Sequence, residues 1–133
     1  MRARLRALGR DDTGSSAVEF VLVGTLLTVL TLAALQLGLA IYVRNVAHDA
    51  AVEGAHIAAL ADTTLADGAE RTRQILHRTV GAAFGADVTA QAETVDGRDS
   101  VVVRVAGTLP LIGLLGVAGG LEVSAHAPRE SLD

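Results

Sequence analysis

An uninterrupted apolar run, residues 20–43, is the feature that most constrains how this chain can fold. It contains no charged side chain in 24 positions. As an α-helix it is about 36 Å long, which exceeds the roughly 30 Å of a bilayer's hydrocarbon core. Phe20 and Tyr42 stand near its two ends, where aromatic rings favour the membrane interface. The run therefore predicts one transmembrane helix.

Charge is distributed unevenly on the two sides of this run. Residues 1–14 carry four Arg and two Asp, whereas Arg44 is the only Arg or Lys between the run and Arg71. Because basic flanks stay in the cytoplasm, the N-terminus is predicted to be cytoplasmic and the rest to lie outside the membrane. Residues 45–133 carry six Arg against twelve Asp and Glu. This distribution does not suggest nucleic-acid binding, since phosphate contacts need a basic face and the only basic cluster is at the N-terminus.

Two simpler interpretations of the apolar run remain. In one, it is a cleavable secretory signal with a cleavage site near Ala40, which releases a soluble factor beginning at Ile41. The apolar region of such signals is about 7 to 15 residues long, shorter than this run. In the other, the run is an ordinary signal anchor, and the single acid at its start, Glu19, lies at the headgroup level. Hydropathy alone does not exclude this second interpretation.

The stretch "GSSAVEF", residues 14–20, places a glycine before a peptide bond and a glutamate at the fifth position after it. This spacing resembles the processing site of type IV prepilins. The longer stretch from residue 14 to about residue 62 includes "VEF", one apolar helix and "AAVEGAHIAAL". It resembles the N-terminal half of the TadE-like family, minor pseudopilins of the tight-adherence (Flp) pilus system.

This resemblance implies a function and a set of functional residues. A membrane-embedded prepilin peptidase would cut on the cytoplasmic side between Gly14 and Ser15 and leave the helix attached. Glu19 and Phe20 would then serve assembly, with the Glu19 carboxylate paired to the new N-terminal amine of a neighbouring subunit. The implied partners are the peptidase, other pilin and pseudopilin subunits, an inner-membrane assembly platform and the lipid bilayer.

Beyond Arg44 the helical pattern continues with residues of very small side-chain volume. One helix is predicted from about residue 17 to residue 60. The segment from residue 44 to residue 62 is predicted to be a stem outside the membrane. One face of the stem carries a stripe of small residues, which lets another helix approach closely. Two partners for this stripe are open: the chain's own second helix or another subunit. The stripe consists of Ala47, Ala50, Ala51, Gly54, Ala55 and Ala58.

A break follows at "ADTTLADG", residues 61–68, and a second helix is predicted after it. Thr64 and Asp67 have the spacing of a capping box, so this helix is expected to span residues 65–84. Its spacing predicts an apolar face that carries Leu65, Ala69, Leu76, Val80 and Phe84.

The C-terminal third changes to the period of β-strands. Residues 88–93 form the first predicted strand, and Asp96 with Gly97 supplies a hairpin turn. A valine-rich strand over residues 100–108 returns from that turn. A third strand is predicted over residues 121–127.

An apolar, glycine-rich segment, residues 109–120, separates the second and third predicted strands. Its twelve residues are too few to span a membrane. The segment is either a buried connection or an exposed surface that contacts a partner or lipid.

These elements predict an α+β, pilin-like architecture: a single N-terminal transmembrane helix extended into a long stem, a second helix and a small three-stranded antiparallel sheet. The predicted segments are a cytoplasmic basic leader (residues 1–14), the transmembrane helix (15–43), the extracytoplasmic helical stem (44–62) and a small extracytoplasmic α+β domain (63–133). Because the chain has few aromatic residues, its hydrophobic core is expected to bury little apolar area. We therefore expect the stem helix or partner subunits to supply part of its burial.

The sequence shows no complete catalytic or metal-binding pattern. Glu53 and His56 form an E-x-x-H pair, but di-iron sites need a second such pair and two further glutamates. Ser15 and Ser16 have no histidine and acid arranged for nucleophilic catalysis. The chain is therefore predicted to be non-enzymatic and without metal or cofactor, and the resemblance to the TadE-like family implies a minor pseudopilin. The alternative is a single-pass, membrane-anchored binding module with an uncleaved N-terminus.

Overall fold

The structure is a computed structural model that describes residues 12–108 and 120–130. It contains two helices, one 3-10 turn and a three-stranded antiparallel sheet, so the predicted α+β fold is confirmed. Most of the predicted leader and of the apolar segment before the third strand lies outside the described residues. The elements are α1 (Asp12–Ala59), α2 (Leu65–Thr79), the 3-10 turn (Ala82–Phe84), β1 (Asp87–Val95), β2 (Arg98–Gly107) and β3 (Leu121–Pro128).

The chain divides into two compact units, one ending at Leu37 and the other beginning at Gly38. The first unit contains the N-terminal part of α1, whose large apolar side chains are exposed. The second unit contains the rest of α1 together with α2 and the sheet. The residues predicted as a stem, 44–62, therefore pack in the same unit as the sheet.

The core of the second unit combines small side chains of α1 with valines of the sheet. Val101, Val103 and Val105 of β2 are fully buried. Alanine contributes little apolar area, so these valines account for much of the hydrophobic stabilisation. Side chains of the stem add buried apolar surface to this small core, as the sequence led us to expect. Val43, just before the stem, is buried with it, and the buried apolar residues of the stem are Ala47, Ala50, Ala51, Ala55, Ala58 and Ala59.

Two glycines, Gly54 and Gly68, allow α1 and α2 to approach closely. A Cβ atom added to Gly54 would lie 2.6 Å from the carbonyl oxygen of Gly68, and one added to Gly68 would lie 2.5 Å from the Cβ of Ala58. The buried hydroxyl of Thr72 lies 3.1 Å from the Ala50 carbonyl oxygen and 3.0 Å from that of Gly68. Of the two partners left open for the small-residue stripe, the structure places α2 and the sheet of the same chain against it.

α2 begins at the predicted residue but ends earlier than predicted. The Thr64 hydroxyl accepts the Asp67 backbone N–H at 3.2 Å, and the Asp67 carboxylate accepts the Thr64 N–H at 2.8 Å, which confirms the capping box. The helix ends at Thr79, so its predicted extension to residue 84 is wrong. Gly81 has a φ of 101°, which is incompatible with a right-handed helix. Phe84 reaches the core from the 3-10 turn instead.

The hairpin between β1 and β2 turns at Asp96 and Gly97, as predicted. Their φ values are 50° and 76°, and positive φ at both central residues is typical of a type I′ turn. Val95 and Arg98 form the pair of residues that flanks this turn. β2 is the central strand, and it is flanked by β1 on one side and β3 on the other. β3 alternates between buried and exposed residues, as expected for a strand with one face on the core.

The capping box makes the stability of the second unit depend on pH. Hydrogen bonds from the Thr64 hydroxyl and backbone N–H lower the pKa of Asp67 from its ordinary value of 3.8. A lowered carboxylate pKa adds stability above the unfolded-state pKa, and that stability is lost as the pH falls through the folded-state pKa. We therefore expect Asp67→Asn to destabilise α2 at pH 7, with a difference from the unmodified protein that closes below about pH 4.

Amide hydrogen exchange of α2 in detergent micelles, measured at several pH values, tests this expectation. Asp62→Asn is the matched control, because it neutralises an exposed carboxylate just before the helix that makes no capping bond. A difference between the unmodified protein and Asp67→Asn that stays constant with pH would contradict the assigned role of the charge.

Candidate assembly and processing site

The predicted cleavage site lies in the first turn of α1, which begins at Asp12. Gly14 and Ser15 are both exposed, and a Cβ atom added to Gly14 would have no neighbour within 4 Å. The first backbone N–H groups of a helix have no intrahelical acceptor, and glycine disfavours a helix by about 1 kcal/mol relative to alanine. This turn is therefore easier to unwind than the helix interior, and the bond between Gly14 and Ser15 is open to an enzyme.

Glu19 is an exposed carboxylate at the start of the apolar run, beside the exposed ring of Phe20. Within residues 12–108 and 120–130 it makes no hydrogen bond or ion pair. The hydroxyls of Thr25, Thr28 and Thr31 behave differently, because each donates at 2.8 Å to the carbonyl four residues earlier. These hydroxyls are satisfied by their own helix. An ionised carboxylate has no proton to donate, so Glu19 cannot be satisfied in this way.

The helix surface that follows Glu19 carries no charged side chain up to residue 43. A stretch of α1 within Gly14–Ala59 is long and apolar enough to cross a membrane, which is compatible with a single-pass membrane protein. A shallow groove beside Glu19 is lined by Ala17, Val18, Val21, Leu22, Thr25, Leu26 and Val29.

The predicted site residues fall into two groups in the structure. Gly14, Ser15, Glu19 and Phe20 are exposed on the first unit. The predicted helix-packing residues are instead buried inside the second unit, where they contact elements of the same chain. These buried residues are Ala47, Ala51, Gly54, Ala55 and Ala58.

Two residues that are central to this packing, Gly68 and Thr72, were not selected from the sequence. The spacing of Leu65, Ala69 and Leu76 does contain the signal, since Thr72 lies on the same face of the helix. A threonine on an apolar face indicates that its hydroxyl has a buried acceptor. That acceptor lies in another helix, so the sequence alone does not identify it.

The described ion pairs lie on the surface of the second unit. Arg104 donates to Glu93 through the two terminal nitrogens of its guanidinium group, at 2.7 and 3.2 Å. This hydrogen bonding lowers the pKa of Glu93 and raises that of Arg104. Oε1 of Glu53, from the E-x-x-H pair, lies 3.4 Å from Nη2 of Arg71. In the part of the chain that the structure describes, no three metal-ligating side chains come together.

Comparison with known proteins gives one match. The family model described as TadE-like protein matches residues 14–56, which include the predicted cleavage site, Glu19 and the apolar run. No curated protein and no solved structure matches the chain. The resemblance to the TadE-like family that the sequence predicted is thereby confirmed over residues 14–56.

Proposed function

We propose that this chain is a non-enzymatic minor pseudopilin of a tight-adherence pilus. It is made as a precursor, cut between Gly14 and Ser15 by a prepilin peptidase, and assembled through the N-terminal part of α1. One observation carries the proposal: a carboxylate without a partner among the described residues, Glu19, stands at the start of an exposed apolar helix inside the TadE-like segment.

The energetic argument concerns the environment of this carboxylate. A charged side chain costs roughly 2.5 to 3.5 kcal/mol at the centre of a membrane and less toward the interface. Such residues are usually paired, so the partner of Glu19 is expected from outside the described helix. Cleavage after Gly14 creates a primary amine at Ser15, which carries a positive charge in its protonated form. Pairing between this amine and the Glu19 carboxylate of a neighbouring subunit offsets the cost and fixes the register of the two helices.

The same amine could also pair within one chain. Ser15 lies four residues before Glu19, so the two positions are neighbours on the helix surface. An internal pair would neutralise the carboxylate without specifying any contact between subunits. The two arrangements differ in their effect on assembly, because only the pair between subunits makes incorporation depend on Glu19.

The burial of the small-residue stripe restricts where other subunits bind. Since the alanines of the stem are occupied by α2 and the sheet, the exposed apolar surface of α1 that remains for packing extends mainly from Val18 to Tyr42. Other pilin and pseudopilin subunits and the inner-membrane assembly platform are the proposed partners of this surface. The part of the second unit that follows Val43 then remains outside the membrane as a small domain on the subunit.

Processing is tested by the mass of the mature N-terminus. We expect the chain extracted from membranes that contain the cognate prepilin peptidase to begin at Ser15. Gly14→Leu is expected to retain Met1, because a confined peptidase site accepts small residues beside the cleaved bond, whereas Ser16→Ala is expected to be cut normally. An unmodified chain that keeps Met1 in the presence of the peptidase would contradict the proposal and favour an anchored binding module.

A further inference from the structure

A polar groove of about 610 Å³ lies in the second unit between α1 and the free edge of the sheet. One wall is the turn of α1 that follows the apolar run, and the other is the beginning of β3. Its polar side chains are Arg44, Asn45, His48 and Asp49 on α1 and Glu122 and Ser124 on β3.

The charges of this groove are not neutralised within the described part of the chain. The side chains of four groove residues make no hydrogen bond or ion pair there: Arg44, Asn45, His48 and Asp49. Among residues 12–108 and 120–130 Glu122 forms no ion pair, although its charge contributes to the raised pKa of Arg104. The groove thus offers a cationic donor and two carboxylates, all of which are available to a ligand that carries both signs of charge.

The groove begins where the apolar surface of α1 ends. Ile41 is 52% exposed and lies three and four residues before Arg44 and Asn45, so the three side chains share one side of the helix. Val43, by contrast, is buried in the core. A lipid chain that lies along Ile41 would therefore bring its headgroup to Arg44 and Asn45.

We propose that this groove binds the headgroup of a zwitterionic phospholipid, a phosphate ester joined to a primary ammonium group. The Arg44 guanidinium and the Asn45 amide donate to the phosphate, because a guanidinium matches the geometry of phosphate oxygens. The carboxylates of Asp49 and Glu122 accept the N–H donors of the ammonium group. The bound lipid fixes the depth and rotation of α1 in the outer leaflet. The inference rests on the proposed placement of α1 across a membrane.

The charge pattern favours this headgroup over the other common types. An anionic glycerol headgroup carries the phosphate but lacks a cation for Asp49 and Glu122. A choline headgroup carries a cation but has no N–H to donate to the carboxylates. Only a headgroup that carries both a phosphate and a primary ammonium can pair with the Arg44 guanidinium and also donate N–H groups to the carboxylates of Asp49 and Glu122.

Lipid retention by the full chain tests the proposal. The chain is released from nanodiscs that contain equal amounts of phosphatidylethanolamine, phosphatidylglycerol and phosphatidylcholine, and the lipid adducts are counted by native mass spectrometry. We expect phosphatidylethanolamine to exceed each of the others by about tenfold, as one charge-assisted hydrogen bond implies. Arg44→Gln is expected to reduce the retention of all three lipids. Glu122→Gln is expected to remove only the preference for phosphatidylethanolamine.

Arg78→Gln and Glu70→Gln, at exposed positions of α2 outside the groove, are the matched controls and should bind as the unmodified chain does. Equal retention of the three lipids, or unchanged retention in both groove variants, would overturn the proposal. Displacement of bound lipid by soluble glycerophosphoethanolamine at comparable concentration would overturn the assignment to membrane lipid. None of these results depends on cleavage after Gly14 or on pilus assembly, so failure here is distinguishable from failure of the proposed function.

Discussion

Gly54→Ala is expected to lower the free energy of unfolding of the second unit by about 2 to 4 kcal/mol. The new Cβ atom would overlap the Thr72 hydroxyl and lie 2.6 Å from the Gly68 carbonyl oxygen, and the latter belongs to a backbone that cannot move independently. Separating α1 from α2 to relieve this overlap weakens the contact between Thr72 and the Ala50 carbonyl. The roughly 1 kcal/mol by which alanine favours a helix over glycine offsets only part of this cost.

Hydrogen exchange of the β2 amides in detergent micelles measures this change, because these amides lie in the core and exchange through opening of the unit. Gly38→Ala is the matched control. It is also a helical glycine of α1 in the same unit, and a Cβ atom there would have no neighbour within 4 Å. We expect this control to leave exchange unchanged or slightly slower. Equal effects of the two substitutions would contradict the close approach of the two helices.

A double-mutant cycle separates the two neighbours of Gly54. Thr72→Ala removes the overlapping hydroxyl but leaves the Gly68 carbonyl in place. The double variant Gly54→Ala, Thr72→Ala is therefore expected to lose less stability than the sum of the two single variants. Strict additivity would indicate that Thr72 does not restrict the space above Gly54.

Elements whose geometry is set within a few residues could be predicted from the sequence. Thr64 and Asp67 are three residues apart, and the two bonds of the capping box follow from that spacing. Asp96 and Gly97 tolerate positive φ, and a two-residue turn between apolar runs then fixes the register of β1 and β2. The end of α2 was overestimated because the apolar spacing continues through Val80 to Phe84, whereas the positive φ of Gly81 cannot be read from that spacing.

Contacts between distant segments could not be predicted in the same way. A stripe of alanines packs equally well on a helix of the same chain or of another, so its composition does not identify the partner. The lining of the polar groove comes from Arg44 and Glu122, which are far apart in sequence and belong to different elements. For the candidate assembly site, the sequence identified Glu19 as the single acid at the start of the apolar run. The structure adds that neighbouring threonine hydroxyls are satisfied by their own helix.

Glu19→Val is expected to leave cleavage after Gly14 largely intact and to reduce incorporation of the subunit into pili by at least about tenfold. The substitution removes a charge from an apolar helix, so insertion into the membrane becomes more favourable rather than less. A defect must then arise after insertion, where the carboxylate pairs with the amine of a neighbouring subunit. A pairing that offsets only about 1.4 kcal/mol accounts for a tenfold change.

Incorporation is measured by immunoblotting of sheared pili, and cleavage by the mass of the N-terminus in the membrane fraction. Thr25→Val is the matched control, because it removes a polar group of the same helix whose hydroxyl already bonds the Val21 carbonyl. Glu19→Gln keeps the shape but not the charge, and we expect it to assemble as poorly as Glu19→Val. Normal incorporation of both Glu19 variants would contradict the proposed pairing between subunits, since a charge needed for contact between subunits cannot be removed without loss of assembly.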